Sequence, residues 1–173
     1  MPHGKDDEEA LRRAMKDKKE GKSPSTQAGE FVREEFEHIK EGKHGARSPQ
    51  QAIAIGLSKA RREGVDLAPP EKGKYSDTVR HKAEQDLEKG HEGHHKTNPR
   101  RSRATENALK KESRRSGTTR ALSEHSKEAA RERSPKERHD AAVKASRTKG
   151  PQERSEAAMK AAKTRKRNES KSR

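Results

Sequence analysis

Five times in this chain a residue that favours helix caps is followed at once by proline: Ser23-Pro24, Ser48-Pro49, Asn98-Pro99, Ser134-Pro135 and Gly150-Pro151. The pair is a helix-start signal. The cap satisfies a free backbone amide, and proline, with no amide of its own and φ already set, suits the first helical position. After Ser48 and Ser134 a third element follows, Gln51 and Glu137, whose side chains are placed to close a capping box. A chain punctuated in this way is expected to be mostly α.

Ser48–Gly64, SPQQAIAIGLSKARREG, is the best-specified of these segments. It holds the densest apolar run, Ala52-Ile53-Ala54-Ile55-Gly56-Leu57, and Gly64 can take the left-handed conformation that stops a helix. Ile53, Leu57 and Ala60 form one stripe. Ala52 and Gly56 form a small-residue stripe beside it, where another backbone can pass closely. Residues 23–42 precede it, with Ala28, Phe31, Val32, Phe36 and Ile39 at the i, i+3, i+4 spacing of one helix face and a stop at Gly42. Two helices joined by Lys43–Arg47 suggest an antiparallel hairpin.

Composition limits how far such a core extends. Only 23% of residues are hydrophobic and 42% are charged, so burial does not repay the ordering of the whole chain. The expected architecture is a small helical hairpin followed by a helix-prone, largely disordered basic tail with no global core. The expected segments are a polar N-terminal helix at 1–22, a helix-loop-helix module at 23–67, a linker at 68–99 and a tail at 100–173. The linker is read as holding one short helix, from Ser76-Asp77 to Gly90, and a His-rich segment. A hairpin this small usually lacks a sufficient core of its own. Phe31, Phe36, Ile53, Ile55 and Leu57 are therefore expected to contact a second copy in a homodimer through residues 23–67, a partner, or the 6–20 helix.

Charge is sorted along the chain. Residues 1–99 carry 20 Lys+Arg against 19 Asp+Glu, and residues 100–173 carry 24 against 10. In the tail, SPKERHDAAVKASRTK from Ser134 is repeated 16 residues later as GPQERSEAAMKAAKTR from Gly150. Cations gathered at one end point to a polyanion, nucleic acid before a membrane surface. The expected contacts are Arg100, Arg101, Arg103, Lys110, Lys111, Arg114, Arg115, Arg138, Lys144, Arg147, Lys149, Arg154, Lys160, Lys163, Arg165, Lys166 and Arg167. Aromatic residues for stacking on bases are absent from the tail, so readout without sequence preference is expected, on DNA before RNA.

The stretch SPSTQAGEFVREEFEHIKEGKHGARSPQQAIAIGLSKARREGV, residues 23–65, resembles a small bacterial family known as a domain of unknown function, whose members carry a similar Lys/Arg/Ala/Ser-rich tail. The resemblance implies a bacterial origin and brings no activity, cofactor or site residues. The tail repeats are loosely similar to the Lys-Ala-Arg repeats of bacterial histone-like proteins.

Other functions have weaker signals. No nucleophile with its base, paired-carboxylate pocket, phosphate loop or zinc motif is present, so neither an enzyme nor a cofactor is expected. The acidic pairs in Asp6-Asp7-Glu8-Glu9 and Glu34-Glu35 read as solvated helix faces. His91, His94 and His95, with His81 nearby, read as an adventitious metal binder at most, and no metal site is assigned. The chain has no cysteine and no apolar run approaching the ~18–20 residues of a spanning helix. The opening MPHGKDDEEALRRAMK has no secretory apolar region. The expected location is the cytoplasm, with nucleoid association suited to the tail, and no membrane partner. The leading expectation is a nucleic-acid-binding accessory protein. The alternative is a disordered hydrophilic protein of stress protection without a specific ligand, favoured by a mean hydropathy of −1.60.

Overall fold

The computed structural model describes residues 5–93, 98–148 and 150–171. The described residues form α1 (Lys5–Lys19), α2 (Pro24–Glu41), α3 (Pro49–Arg62), α4 (Asp77–Glu92), α5 (Pro99–Lys111), a 3-10 turn (Arg114–Gly117), α6 (Thr119–Glu132), α7 (Pro135–Thr148) and α8 (Pro151–Lys171). All five cap-proline signals open a helix. The Gln51 amide donates to Ser48 Oγ at 3.2 Å, while Gln51 Oε1 accepts from the Arg47 amide at 2.7 Å, one residue before the cap. At α7 the capping box is reciprocal: the Glu137 amide donates to Ser134 Oγ at 3.2 Å, and the Ser134 amide donates to Glu137 Oε2 at 2.8 Å. Ser23 caps with no side-chain bond, and its hydroxyl lies 2.9 Å from that of Ser25 instead.

The chain divides into two compact units, Met1–His125 and Ser126–Arg173. In the first, α2 and α3 pair antiparallel. Ala60 packs with Ala28 and Phe31, Gly56 lies against Val32, and Ala52 packs with Phe36 and Ile39. A Cβ on Gly56 would stand 2.7 Å from Val32 Cα, so the helices meet backbone to backbone at this level. The small-residue stripe serves the purpose read from the sequence.

The remaining partner of the hairpin is α1. Ala10 and Ala14 are fully buried against Ala28, Phe31, Ala60 and Val65, with Leu11, Leu57 and Leu67 packed around them. A second cluster joins Phe36, Ile39, Ala46 and Ala52 to Val32, Ile53 and Leu122. Fully burying a side chain such as Phe31 or Ile39 contributes about 1.5–3 kcal/mol. Phe31 and Phe36 are therefore not open to a second copy, as a dimer contact through them requires. Phe31 and Phe36 are buried within the chain, and Ile53, Ile55 and Leu57 are half-buried. Of the three expected coverings, the N-terminal helix covers Phe31 and Leu57.

The expectation of a chain without a global core is also corrected, and the core reaches past residue 67. Helix α4 docks on α3 through Ala83 and Asp86. Asp86, 2% exposed, accepts from Ser58 Oγ at 2.6 Å and lies 3.3 Å from Lys82 Nζ. Residues 77–92 are thus packed structure and not linker. The loop after α2 is fastened to the end of α5: the Gly45 amide donates to the Leu109 carbonyl at 2.9 Å and the Ala46 amide to the Ser113 carbonyl at 3.1 Å. The boundary between head and tail accordingly falls at 125/126 and not at 99/100. The acidic pair Glu34-Glu35, read as solvated, is buried, with Glu35 1% exposed.

The second unit is helical, which corrects the expected disorder of the tail. It has no buried residue among those described, and only Ala129 and Val143 are partly covered. Its order is local, carried by caps and alanine-rich turns.

Candidate nucleic-acid interface

Cations are used differently in the two units. In residues 1–125 several are held by internal partners. Arg13 reaches across to α2, with Nε 2.6 Å from Glu30 Oε2 and Nη2 2.6 Å from Glu34 Oε2. Lys59 Nζ lies 3.1 Å from Glu35 Oε2 and 3.2 Å from Asp7 Oδ1. Burial opposes the charge on Lys59, but Glu35 and Asp7 outweigh it and hold its pKa above the usual value. Arg61 is buried, its pKa lowered by desolvation. It donates to the Leu67 and Ala68 carbonyls at 3.0 and 3.3 Å, closing the turn after α3.

Residues 126–173 carry 16 Lys+Arg against 7 Asp+Glu. Of the expected contacts there, Arg138, Lys144, Arg147, Arg154, Lys160, Lys163, Arg165, Lys166 and Arg167 are all solvent-exposed; Lys149 lies outside the described residues. At about 100° per residue, the six expected contacts on α8 are spread around the helix and do not form one stripe. Phosphates can approach such a helix from several sides. Alanines 157, 158, 161 and 162 keep its girth small.

Arg100, Arg101, Arg103, Lys110, Lys111, Arg114 and Arg115 are exposed as well, but they belong to the first unit. Lys110 is paired to Glu106 at 2.7 Å, which lowers the Glu106 pKa. Arg114 lies beside Gly42 at the C-terminal end of α2, where the helix dipole favours a cation. These two are partly engaged. The basic residues expected to act as one tail are thus divided between a packed head and a solvent-facing helical tail.

Of the histidines, His91 Nε2 lies 2.7 Å from Asp66 Oδ1, while His94 and His95 lie outside the described residues. A grouping that the sequence reading missed is Glu35, His38 and His44. Each offers one ligand atom within 4.8 Å of the others. The available signal was Glu-x-x-His, two ligand types one turn apart on α2.

Among the described residues no helix is long and apolar enough to cross a membrane. Comparison with known protein families, curated proteins and solved structures found no match. The family resemblance of residues 23–65 gains no support from them, and the function is argued from geometry and charge.

Proposed function

We propose that this protein binds nucleic acid without sequence preference, the helices of residues 126–171 neutralising phosphates and the packed unit of residues 1–125 serving as a folded head. One observation carries the reading. Among the described residues, the cations of the second unit are exposed on helices that bury no residue, whereas Arg13, Lys59 and Arg61 of the head are drawn into its packing. Surface charge concentrated at one end, with no packing role, is the electrostatic footprint of a polyanion binder.

A membrane surface fits less well. Interfacial helices insert an apolar face, and α7 and α8 offer alanines with Val143 and the exposed Met159. Sequence-specific readout is not supported either, because a recognition helix is held by a hydrophobic core behind it, and none backs α7 or α8. A purely solvating role leaves the sorting of charge unexplained.

The test is a gel shift on two unrelated duplexes of equal length, comparing the full chain with residues 1–125. The full chain is expected to retard both equally and the shortened chain neither. Equal retardation by the two proteins would remove the tail from the account. No retardation by either would return the solvating, protective role.

A further inference from the structure

Helix α2 and the loop behind it bring Glu35, His38 and His44 together in the interior of the head. Glu35 and His38 are three residues apart and project from the same side of α2. His44 arrives from the loop that follows Gly42, whose left-handed backbone (φ 81°) turns the chain out of the helix. That loop is fixed by the amide bonds of Gly45 and Ala46 to α5 and the residues just after it. A side chain at Gly45 would run into the Glu112 carbonyl. The position of His44 is therefore set by packing on both sides.

The atoms are arranged as a ligand set. His44 Nδ1 lies 3.1 Å from the Gly45 carbonyl. A proton on Nδ1 donated there leaves the Nε2 lone pair directed inward, as in metal-bound histidines held by a backbone carbonyl. His44 Nε2 is 3.2 Å from Glu35 Oε1, close to the separation of about 3.3 Å that two ligands bound at ~2.0 Å make around a tetrahedral ion. Glu35 is 1% exposed, and its Oε1 has no hydrogen-bond partner. Lys59 Nζ stands 3.1 Å from the other oxygen, Oε2, and so orients the carboxylate from behind.

Glu34 flanks the set: its Oε1 lies 3.4 Å from His38 Nε2, while its Oε2 is held by Arg13. Two imidazoles and a carboxylate suit a borderline transition ion better than calcium or magnesium, which prefer all-oxygen shells.

We propose that Glu35, His38 and His44 form a site for one divalent transition-metal ion of the zinc type, a clip fastening the loop 43–47 to α2. It is independent of the nucleic-acid reading.

The test uses the full chain with His81→Gln, His91→Gln, His94→Gln and His95→Gln, which removes the histidine cluster read from the sequence as a background. Zinc titrated calorimetrically into this protein is expected to bind at one equivalent and to raise its Tm. Cobalt is expected to give the intense visible bands of a tetrahedral ion. Adding Glu35→Gln or His44→Gln is expected to weaken zinc binding by about 100-fold or more, since even an outer-shell partner is worth 10–100-fold. Circular dichroism checks that each variant is helical. If the background protein binds no zinc and gives no cobalt bands, the site does not exist, whatever the folding of the variants. If folded His44→Gln binds as tightly as its parent, the ion is held elsewhere.

Discussion

Gly117 rests directly on Ile39. A Cβ at Gly117 would stand 2.7 Å from Ile39 Cγ2, inside any normal contact. This couples the turn after α5 to a residue of α2 that is completely buried, and with it the fate of residues 100–125 to that of the hairpin. Gly117→Ala is expected to cost about 1–3 kcal/mol through overpacking. Gly56→Ala, which meets the Val32 backbone, is expected to be destabilising despite a helix-propensity gain of ~1 kcal/mol. Urea unfolding of the two variants checks both.

The same coupling predicts where the chain can be cut. Residues 1–125 are expected to unfold in a cooperative transition close to that of the full chain. Residues 1–99 lose the partners of Gly45, Ala46 and Ile39, and are expected to melt earlier and less steeply. A thermal scan followed by circular dichroism compares the two. Equal midpoints would show that the segment 100–125 adds nothing to the head.

Arg13 joins α1 to α2 through two bonds of 2.6 Å, to Glu30 and Glu34. Arg13→Met leaves the nine-tenths-buried side chain of Glu34 without this cation, and a loss of about 3–5 kcal/mol is expected. Arg13→Lys keeps the charge but not the fork that spans two carboxylates, so only partial recovery is expected. Denaturant midpoints of the three proteins give the order.

Much of this architecture was legible in the residues. The cap-proline pairs placed the starts of five helices, and the spacing of Phe31, Ile39, Ile53 and Leu57 gave the hairpin. What escaped the sequence was packing by small and charged groups. Ala10 and Ala14 make so narrow an apolar stripe that α1 reads as marginal, yet alanine lets α1 approach closely enough to cover Phe31. Asp86 reads as a surface residue until Ser58 is seen to donate to it. Gly45 and Gly117 carry no hydrophobic signal at all, although they permit the contacts that bring 109–117 onto α2. Glu35 was hidden for a related reason. A carboxylate on an otherwise polar stretch reads as solvated, and only the fold supplies Lys59 and His44 to it. In the second unit, by contrast, the expected cations that the structure describes are exposed, because no hydrophobic core forms there to draw them in.

In α7 the reciprocal bonds of Ser134 and Glu137 act without support from a core. Ser134→Ala is expected to cost about 1 kcal/mol of local helix stability. With no described residue of α7 buried to compensate, the loss should appear as reduced helicity and not as a lower midpoint of the head. Circular dichroism in buffer, beside the unfolding curve, separates the two. An unchanged spectrum would mean that the cap is not what orders this helix.

The central claim is that exposed cations in residues 126–171 bind phosphates. The direct measurement is the affinity of the full chain for a random duplex, by fluorescence anisotropy, across a series of salt concentrations. If roughly 8–12 phosphates are neutralised, log K should fall with log salt with a slope of about −7 to −11, and residues 1–125 should show little binding at any salt. A shallow slope near zero, or a shortened protein that follows the same line as the whole, would contradict the account.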